Sequence, residues 1–374
     1  MPSVLRSGCP SLTEPLWWMI ADLIWAGPGR WLSPAALPMR GPVAAGGDPV
    51  PPAEVPSSAR ALELEAMLVP GLQDAHIHSG LIDLKALRSG GISAALDLGG
   101  VPEQVGALRR ASLDPTAGLP GLEIVGAFLT CPGGYPSGRS WAAPGSWREV
   151  RSAADAETAV AEQVAVGAGA VKVAINVDAG PVLPPPVLAA IAAAAHGAGL
   201  RVIAHAEGEG AVRTALTAGV DLLAHTPWTE ELDVGLLRAC AAQTTWISTT
   251  NIHGRSDALT VAMANLSGFL DLGGSLRYGT DLGNGKLPLG VNSQETLVLQ
   301  TLGLSVDEVL ASMTGPILGP TATVSAQASR FVAGVAPCVL ANPLDPQMRV
   351  VGPFLREAQV FSVEDIEDME PWQG

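Results

Sequence analysis

His76 and His78 stand one residue apart at the end of the run Val69-Pro-Gly-Leu-Gln-Asp-Ala-His-Ile-His78. On a strand, alternate side chains share a face, so the two imidazoles point the same way. Imidazole in that arrangement suits zinc, iron, nickel or copper. A lone His-x-His arises easily by chance, so its weight depends on what other polar groups end apolar runs. His205 closes Val202-Ile-Ala-His205, His225 closes Leu222-Leu-Ala-His225, and Asp281 closes Arg277-Tyr-Gly-Thr-Asp281. Lys172 lies inside Ala170-Val-Lys-Val-Ala-Ile175. It is one of only three lysines, the others being Lys85 and Lys286, against eighteen arginines.

The elements that must position these groups alternate. Short apolar runs at 67–78, 92–98, 122–130, 170–175, 201–205, 222–225, 245–250 and 276–281 read as eight strands. Ala-rich amphipathic segments at 153–166, 185–195, 210–218 and 232–242 read as helices between them. A further helix starts at Ser305, with Glu308 completing a capping box. Eight βα units over roughly 250 residues is the size of a (β/α)8 TIM-type barrel, an α/β fold. In such a barrel the carboxyl ends of the strands converge on one face, so four of the six histidines would meet there. Ile20-Ala-Asp-Leu-Ile-Trp25 and Ala61-Leu-Glu-Leu-Glu65 read as strands of a small β unit. The expected division is an extension at 1–15, the first part of a small β domain at 16–66 and the barrel at 67–322. The rest of the small domain is expected at 323–356 and an acidic tail at 357–374.

Composition narrows the function. The net charge is −15 with no basic stripe, which argues against nucleic acid as a partner. The apolar stretch from Trp17 to Trp25 holds Asp22 and is too short to span a bilayer, so no membrane association is expected. Four cysteines without framework or metal-type spacing, and a start without a secretory pattern, point to a reducing, cytoplasmic setting.

The strand-end constellation resembles the amidohydrolase superfamily over residues 15–355. The run ending in His76 and His78 looks like that family's first-strand signature, and His205, His225 and Gly279-Thr-Asp281 fall where it has its fifth-, sixth- and eighth-strand ligands. Lys172 lies where the imidazolonepropionase-like and prolidase-like branch has a carboxylated lysine bridging two metals. Ser329 to Leu340 resembles the C-terminal half of a small β-sandwich built from both chain ends, although the acidic residue usual near Pro337-Cys338 is missing.

The resemblance implies two divalent metal ions, most readily zinc. His76, His78 and Asp281 would hold one, His205 and His225 the other, and carboxylated Lys172 would bridge them. It implies hydrolysis of an amide, cyclic amide or peptide-like C–N bond by a metal-bridging hydroxide, with Asp281 as base and then acid. The expected partner is a small-molecule substrate, and scaffolds of this kind often self-associate. The loop from Cys131 to Trp147, with Tyr135, Trp141 and Trp147, is the best candidate for a pocket wall. Tyr135, His253 and Arg139 could contact substrate, each against an ordinary turn, loop or surface role. Glu207, two residues past His205, could face the same pocket. The alternatives are a mononuclear deaminase of a heterocyclic ring and a decayed metal-binding paralogue. Family deaminases usually carry Glu three residues after the fifth-strand His, and here that position is Gly208.

Overall fold

Period-two burial of Trp17, Met19 and Ala21 marks β1, Leu16–Gly27, as a strand with one face against a core. The structure, a computed structural model, describes residues 15–318, 330–331, 335–362 and 365. β1 pairs antiparallel with β2 (Arg30–Leu32) and β3 (Ala35–Arg40), and β3 pairs with β4 (Val43–Ala44). On its other edge β1 runs parallel to β5, Ala61–Val69. Trp17, Met19, Ile24, Leu37, Met39 and Leu68 fill this unit together with Phe331 and Phe361.

The run 67–78 is two strands rather than one. Its first residues finish β5, and β6 begins afresh at Gln73–Ile77. Pro70 supplies no N–H for a ladder. At Gly71 an added Cβ would lie 2.4 Å from the Ala336 carbonyl oxygen, so the chain must turn there without a side chain. β5 thus carries the small sheet past residue 66.

β6, β7 (Ala94–Asp97) and β8 (Gly121–Ile124) form one parallel sheet. A second parallel sheet contains β9 (Phe128–Thr130), β10 (Trp147–Glu149), β11 (Ala170–Asn176), β12 (Arg201–Glu207), β13 (Leu222–Leu223), β14 (Thr245–Ile247) and β15 (Ser275–Arg277). Its order is β10-β9-β11-β12-β13-β14-β15. The expected strand at 122–130 is divided between the two sheets. Gly126 has φ +77°, and the Gln163 side chain accepts the Ala127 N–H that a ladder would have used. Beyond β15, Ala75 donates its N–H to Tyr278 O (2.9 Å), Asp281 to His76 O (2.8 Å) and His78 to Leu282 O (2.7 Å). These bonds tie the segment after β15 to β6. The fold is mixed α/β, with parallel sheets curling so that the first and last βα strands are neighbours.

Helices at Ala153–Ala165, Pro185–Gly197, Ala211–Thr217, Val234–Gln243 and Val306–Ser312 stand where the periodicity put them, the last with its Ser305/Glu308 capping box. Pro102–Ala111, Asp257–Asp271 and Ser293–Thr301 are further helices. Asp257–Asp271 carries Asn265, a weak helix former whose side chain is spent on Leu232 N–H and on the Pro227 and Glu230 carbonyls. β16 (Cys338–Leu340) returns to pair antiparallel with β5. β17 (Gln359–Val360) adds to β16 from within the expected tail. The expected extension falls, up to residue 14, outside the described residues, as do 319–329 and nearly all of the tail beyond 362. Among the described residues no helix is long and apolar enough to cross a membrane.

Candidate metal centre

β6 delivers His76 and His78 to the mouth of the parallel strands, and the segment after β15 brings Asp281 across to them. Asp281 Oδ1 lies 3.1 Å from His76 Nε2 and 3.2 Å from His78 Nε2, and one ligand atom from each residue falls within 4.8 Å of the others. The opposite nitrogens are already committed. His76 Nδ1 donates to Ala224 O (2.8 Å) and His78 Nδ1 to Gly99 O (3.0 Å). With the protons on Nδ1, both Nε2 atoms present lone pairs to a carboxylate oxygen. Three acceptors pointed at one spot repel one another unless a cation lies between them. Anchoring the remote nitrogen to a carbonyl is also how metal-bound histidines are oriented. The donor set therefore fits a divalent cation.

The backbone is shaped to bring these groups together. Asp281 adopts φ +56° and Thr249, which contacts His225 Nδ1 at 3.0 Å through its hydroxyl, φ +43°. They are the only non-glycine residues with positive φ among those described, and both touch the site. Such conformations persist where the surroundings over-determine them. Gly279 is needed for close approach, since a Cβ there would sit 2.4 Å from Ile247 and 3.1 Å from His76 N. Buried Asp74 accepts from the N–H of His76 (3.0 Å) and of Thr280 (3.1 Å), clamping the segments that carry the histidine pair and Asp281. Asp97 accepts from Ser79 N, Ser79 Oγ and Gly99 N, which fixes the carbonyl that receives His78.

Lys172 on β11 is 1% exposed, with Nζ 5.8 Å from the Phe128 ring centroid and no hydrogen-bond partner among the described residues. Burial lowers its pKa to about 7, against the opposing pull of Asp281 and Asp97. Its amine is thus largely neutral in mildly alkaline water, the form that adds carbon dioxide. His205 on β12 and His225 after β13 complete the ring, with centroids 5.1 Å apart and His225 4.6 Å from His76. His205 Nε2 donates to Glu207 (2.8 Å), which leaves the Nδ1 lone pair of the neutral ring open. Burial depresses both rings, and lowers His76 to about 4, so these imidazoles are neutral. Burial lowers His78 too, but Asp281 outweighs it and the net shift is upward. Asp281 is pushed up by burial and pulled further down by His76, His78 and His225, ending well below the usual carboxylate range.

No protein-family model matches the chain, and no curated protein matches it. Solved structures do. The chain is similar to A. niger ochratoxinase at 19% identity, with 93% of this chain and 94% of that one covered and a TM-score of 0.74. It is similar to a solved amidohydrolase at 19% identity, with coverages of 92% and 96% and a TM-score of 0.74. A putative prolidase from Bifidobacterium longum matches at 20% identity, with 96% of each chain covered and a TM-score of 0.73. The chain shares the amidohydrolase fold. The resemblance read from the sequence is borne out at that level.

His76, His78, Lys172, His205, His225 and Asp281 all line one cavity of about 380 Å³, with Tyr135, Glu207 and His253 at its walls. Tyr135 stacks on His205 (centroids 4.9 Å, 21°). Arg139 does not line the cavity: it is exposed, with its guanidinium 5.8 Å from the Tyr135 ring centroid. Of the loop aromatics, Trp141 lines the cavity, whereas Trp147 belongs to β10 and does not. His196 lies in the last turn of Pro185–Gly197, away from this cavity, paired with Asp221 at 2.9 Å. Trp228 and Phe128 were not singled out from the sequence. Trp228 follows His225 by three residues, and that proximity was the only available signal. Phe128 looked like an ordinary strand hydrophobe.

Proposed function

We propose that the chain is a metal-dependent hydrolase of amide-type C–N bonds and a member of the amidohydrolase superfamily. Its parallel strands would close into a (β/α)8 barrel, with a small β-sandwich contributed by residues 16–66 and 323–356. The observation that carries this proposal is the convergence of His76 Nε2, His78 Nε2 and Asp281 Oδ1, three acceptors in want of a cation. The shared fold supports it.

His76, His78 and Asp281 would hold one divalent cation, and His205 Nδ1 and His225 Nε2 a second. Lys172 would hold both once its neutral amine has added carbon dioxide and released a proton. Two zinc ions would polarise the scissile carbonyl and lower the pKa of a water to roughly 7. Asp281 accepts the proton of the attacking water and returns it to the departing nitrogen, so the proton count closes within one turnover. Asn284 Nδ2, 2.8 Å from Asp281 Oδ2, fixes the plane of the carboxylate for both transfers. Tyr135, whose hydroxyl burial pushes above its usual pKa, stays a proton donor and can hydrogen-bond the carbonyl oxygen as charge develops. His253 remains neutral by burial and can accept a substrate N–H.

The test is metal content and amide turnover of the same preparation. Two zinc equivalents per chain, with amide hydrolysis that chelation removes, is the expected result. Asp281→Asn should lower kcat by on the order of 100-fold or more while the fold is retained. One equivalent, together with turnover of an amino-heterocycle and not of amides, would replace this proposal with a deaminase.

A further inference from the structure

The cavity above the proposed metal ligands has two aromatic walls and, among the described residues that line it, no arginine. Phe128, Tyr135 and Trp141 form one wall: Trp141 lies 6.0 Å from Phe128, 5.9 Å from Tyr135 and 6.2 Å from His78. Trp228 forms the other with His253 (5.0 Å), its edge against His225 (5.2 Å) and His205 (5.8 Å). Trp141 is 40% exposed although its ring faces the cavity, so it has apolar surface to give to a ligand at the rim. A volume of about 380 Å³ between rigid rings suits a small flat group.

The charges tell which small groups are unwelcome. Among the described residues that line the cavity the non-histidine ionisable side chains are Lys172, Glu207, Asp281 and Tyr135. Lys172 lies at the floor, 1% exposed. Glu207 Oε2 is occupied by Asn176 Nδ2 (2.6 Å) and His205 Nε2 (2.8 Å), and Oε1 has no partner among the described residues. Glu207 thus offers an open anionic acceptor on the cavity wall. A substrate carboxylate held at the aromatic rim, away from the cations proposed at the floor, would find no guanidinium fork to receive it, would face Glu207, and would lose its water between aromatic rings. Arg139 is absent from the cavity lining and sits over the Tyr135 ring at 5.8 Å.

Resting on the hydrolase proposal above, we infer that this site selects a neutral aromatic amide, with the ring held between Trp141 and Trp228 and a substrate N–H facing Glu207, and rejects amides that carry a free carboxylate. Dipeptides with a free C-terminus belong to the rejected class.

Two matched pairs test this on the zinc-loaded protein: 4-acetamidobenzamide against 4-acetamidobenzoate, and benzoylglycinamide against benzoylglycine. Amine release is followed by chromatography, and binding of benzamide and benzoate by calorimetry on the metal-free protein, where no cation holds the carboxylate. The carboxamide member of each pair that is turned over should exceed its carboxylate partner by on the order of 100-fold in kcat/KM. Benzamide should bind more tightly than benzoate. Trp141→Ala should raise KM for the carboxamides by far more than it lowers kcat. Glu207→Gln should narrow the carboxamide-to-carboxylate ratio, a readout that partial metal loss does not mimic because both members share the metal site. Carboxylate members hydrolysed as well as or better than their partners would overturn the inference, as would benzoate binding equal to or above benzamide. Benzamide preference without turnover of any amide would instead sink the proposed reaction and leave the selectivity standing.

Discussion

Lys172→Met separates the cost of a buried amine from its use. Methionine keeps an unbranched apolar stem in the β11 interior and removes the nitrogen. In the metal-free protein the folded-state pKa of about 7 compares with 10.5 for an ordinary lysine. At pH 8 the unfolded chain carries the proton and the folded chain has shed it. Shedding it costs about 1.4 kcal/mol per pH unit over 2.5 units, or about 3 kcal/mol in order of magnitude. Between pH 7 and 10.5 the unfolded state binds more protons, so the metal-free wild type should gain stability as the pH rises through that window. The methionine variant should lack this slope and exceed the wild type by roughly 3 kcal/mol at pH 8, with the gap closing towards pH 10.5. Urea denaturation with chelator present, followed by tryptophan fluorescence at several pH values, measures both quantities. Zinc with bicarbonate should reverse the ranking. A ligand at 1,000 times its Kd adds about 4 kcal/mol to the state that binds it, and the variant should forfeit much of that. A variant no more stable than the metal-free wild type at pH 8, or a wild type whose stability is flat from pH 7 to 10, would refute the argument that Lys172 is held as a desolvated amine.

Asp97→Ala should free Ser79 and the Gly99 carbonyl that receives His78 Nδ1. Zinc affinity, read by competition with a chromophoric chelator, should fall by about 10- to 100-fold. Burial pushes the Cys240 and Cys338 thiols up to about 11. Both should therefore remain protonated and unalkylated by iodoacetamide at pH 8 in the native protein and react once it is unfolded, as peptide mass mapping would reveal.

Much of this site was legible in the sequence because its chemistry sits at the ends of apolar runs. His205 and His225 are each preceded by residues that can only be buried strand, so their position at the carboxyl ends followed from alternation and length. The boundaries were less legible. Pro70-Gly71 inside the run 67–78 marks a break, but the sharing of the run between two sheets also depends on the close approach of Ala336 to Gly71, some 265 residues away in the chain. The split at Gly126 depends in the same way on the Gln163 side chain. Arg139 could not be placed from its neighbours, since whether a loop arginine turns into a cavity or lies outside on a tyrosine ring is decided by tertiary packing. Trp228 was equally hidden, its role arising from the rings it touches rather than from any spacing.

The left-handed backbone of Asp281 constrains what can be learned, or evolved, at that position. Outside glycine, aspartate and asparagine are the residue types that enter this region most readily. Asparagine therefore alters the charge and leaves the chain path in place. Alanine would also strain a segment whose N–H and neighbouring carbonyl hold β6, and its phenotype would mix lost proton transfer with displaced histidines. On the proposed mechanism, conformation and proton transfer ask for the same small set of side chains, and few replacements at this residue would keep the strand mouth intact.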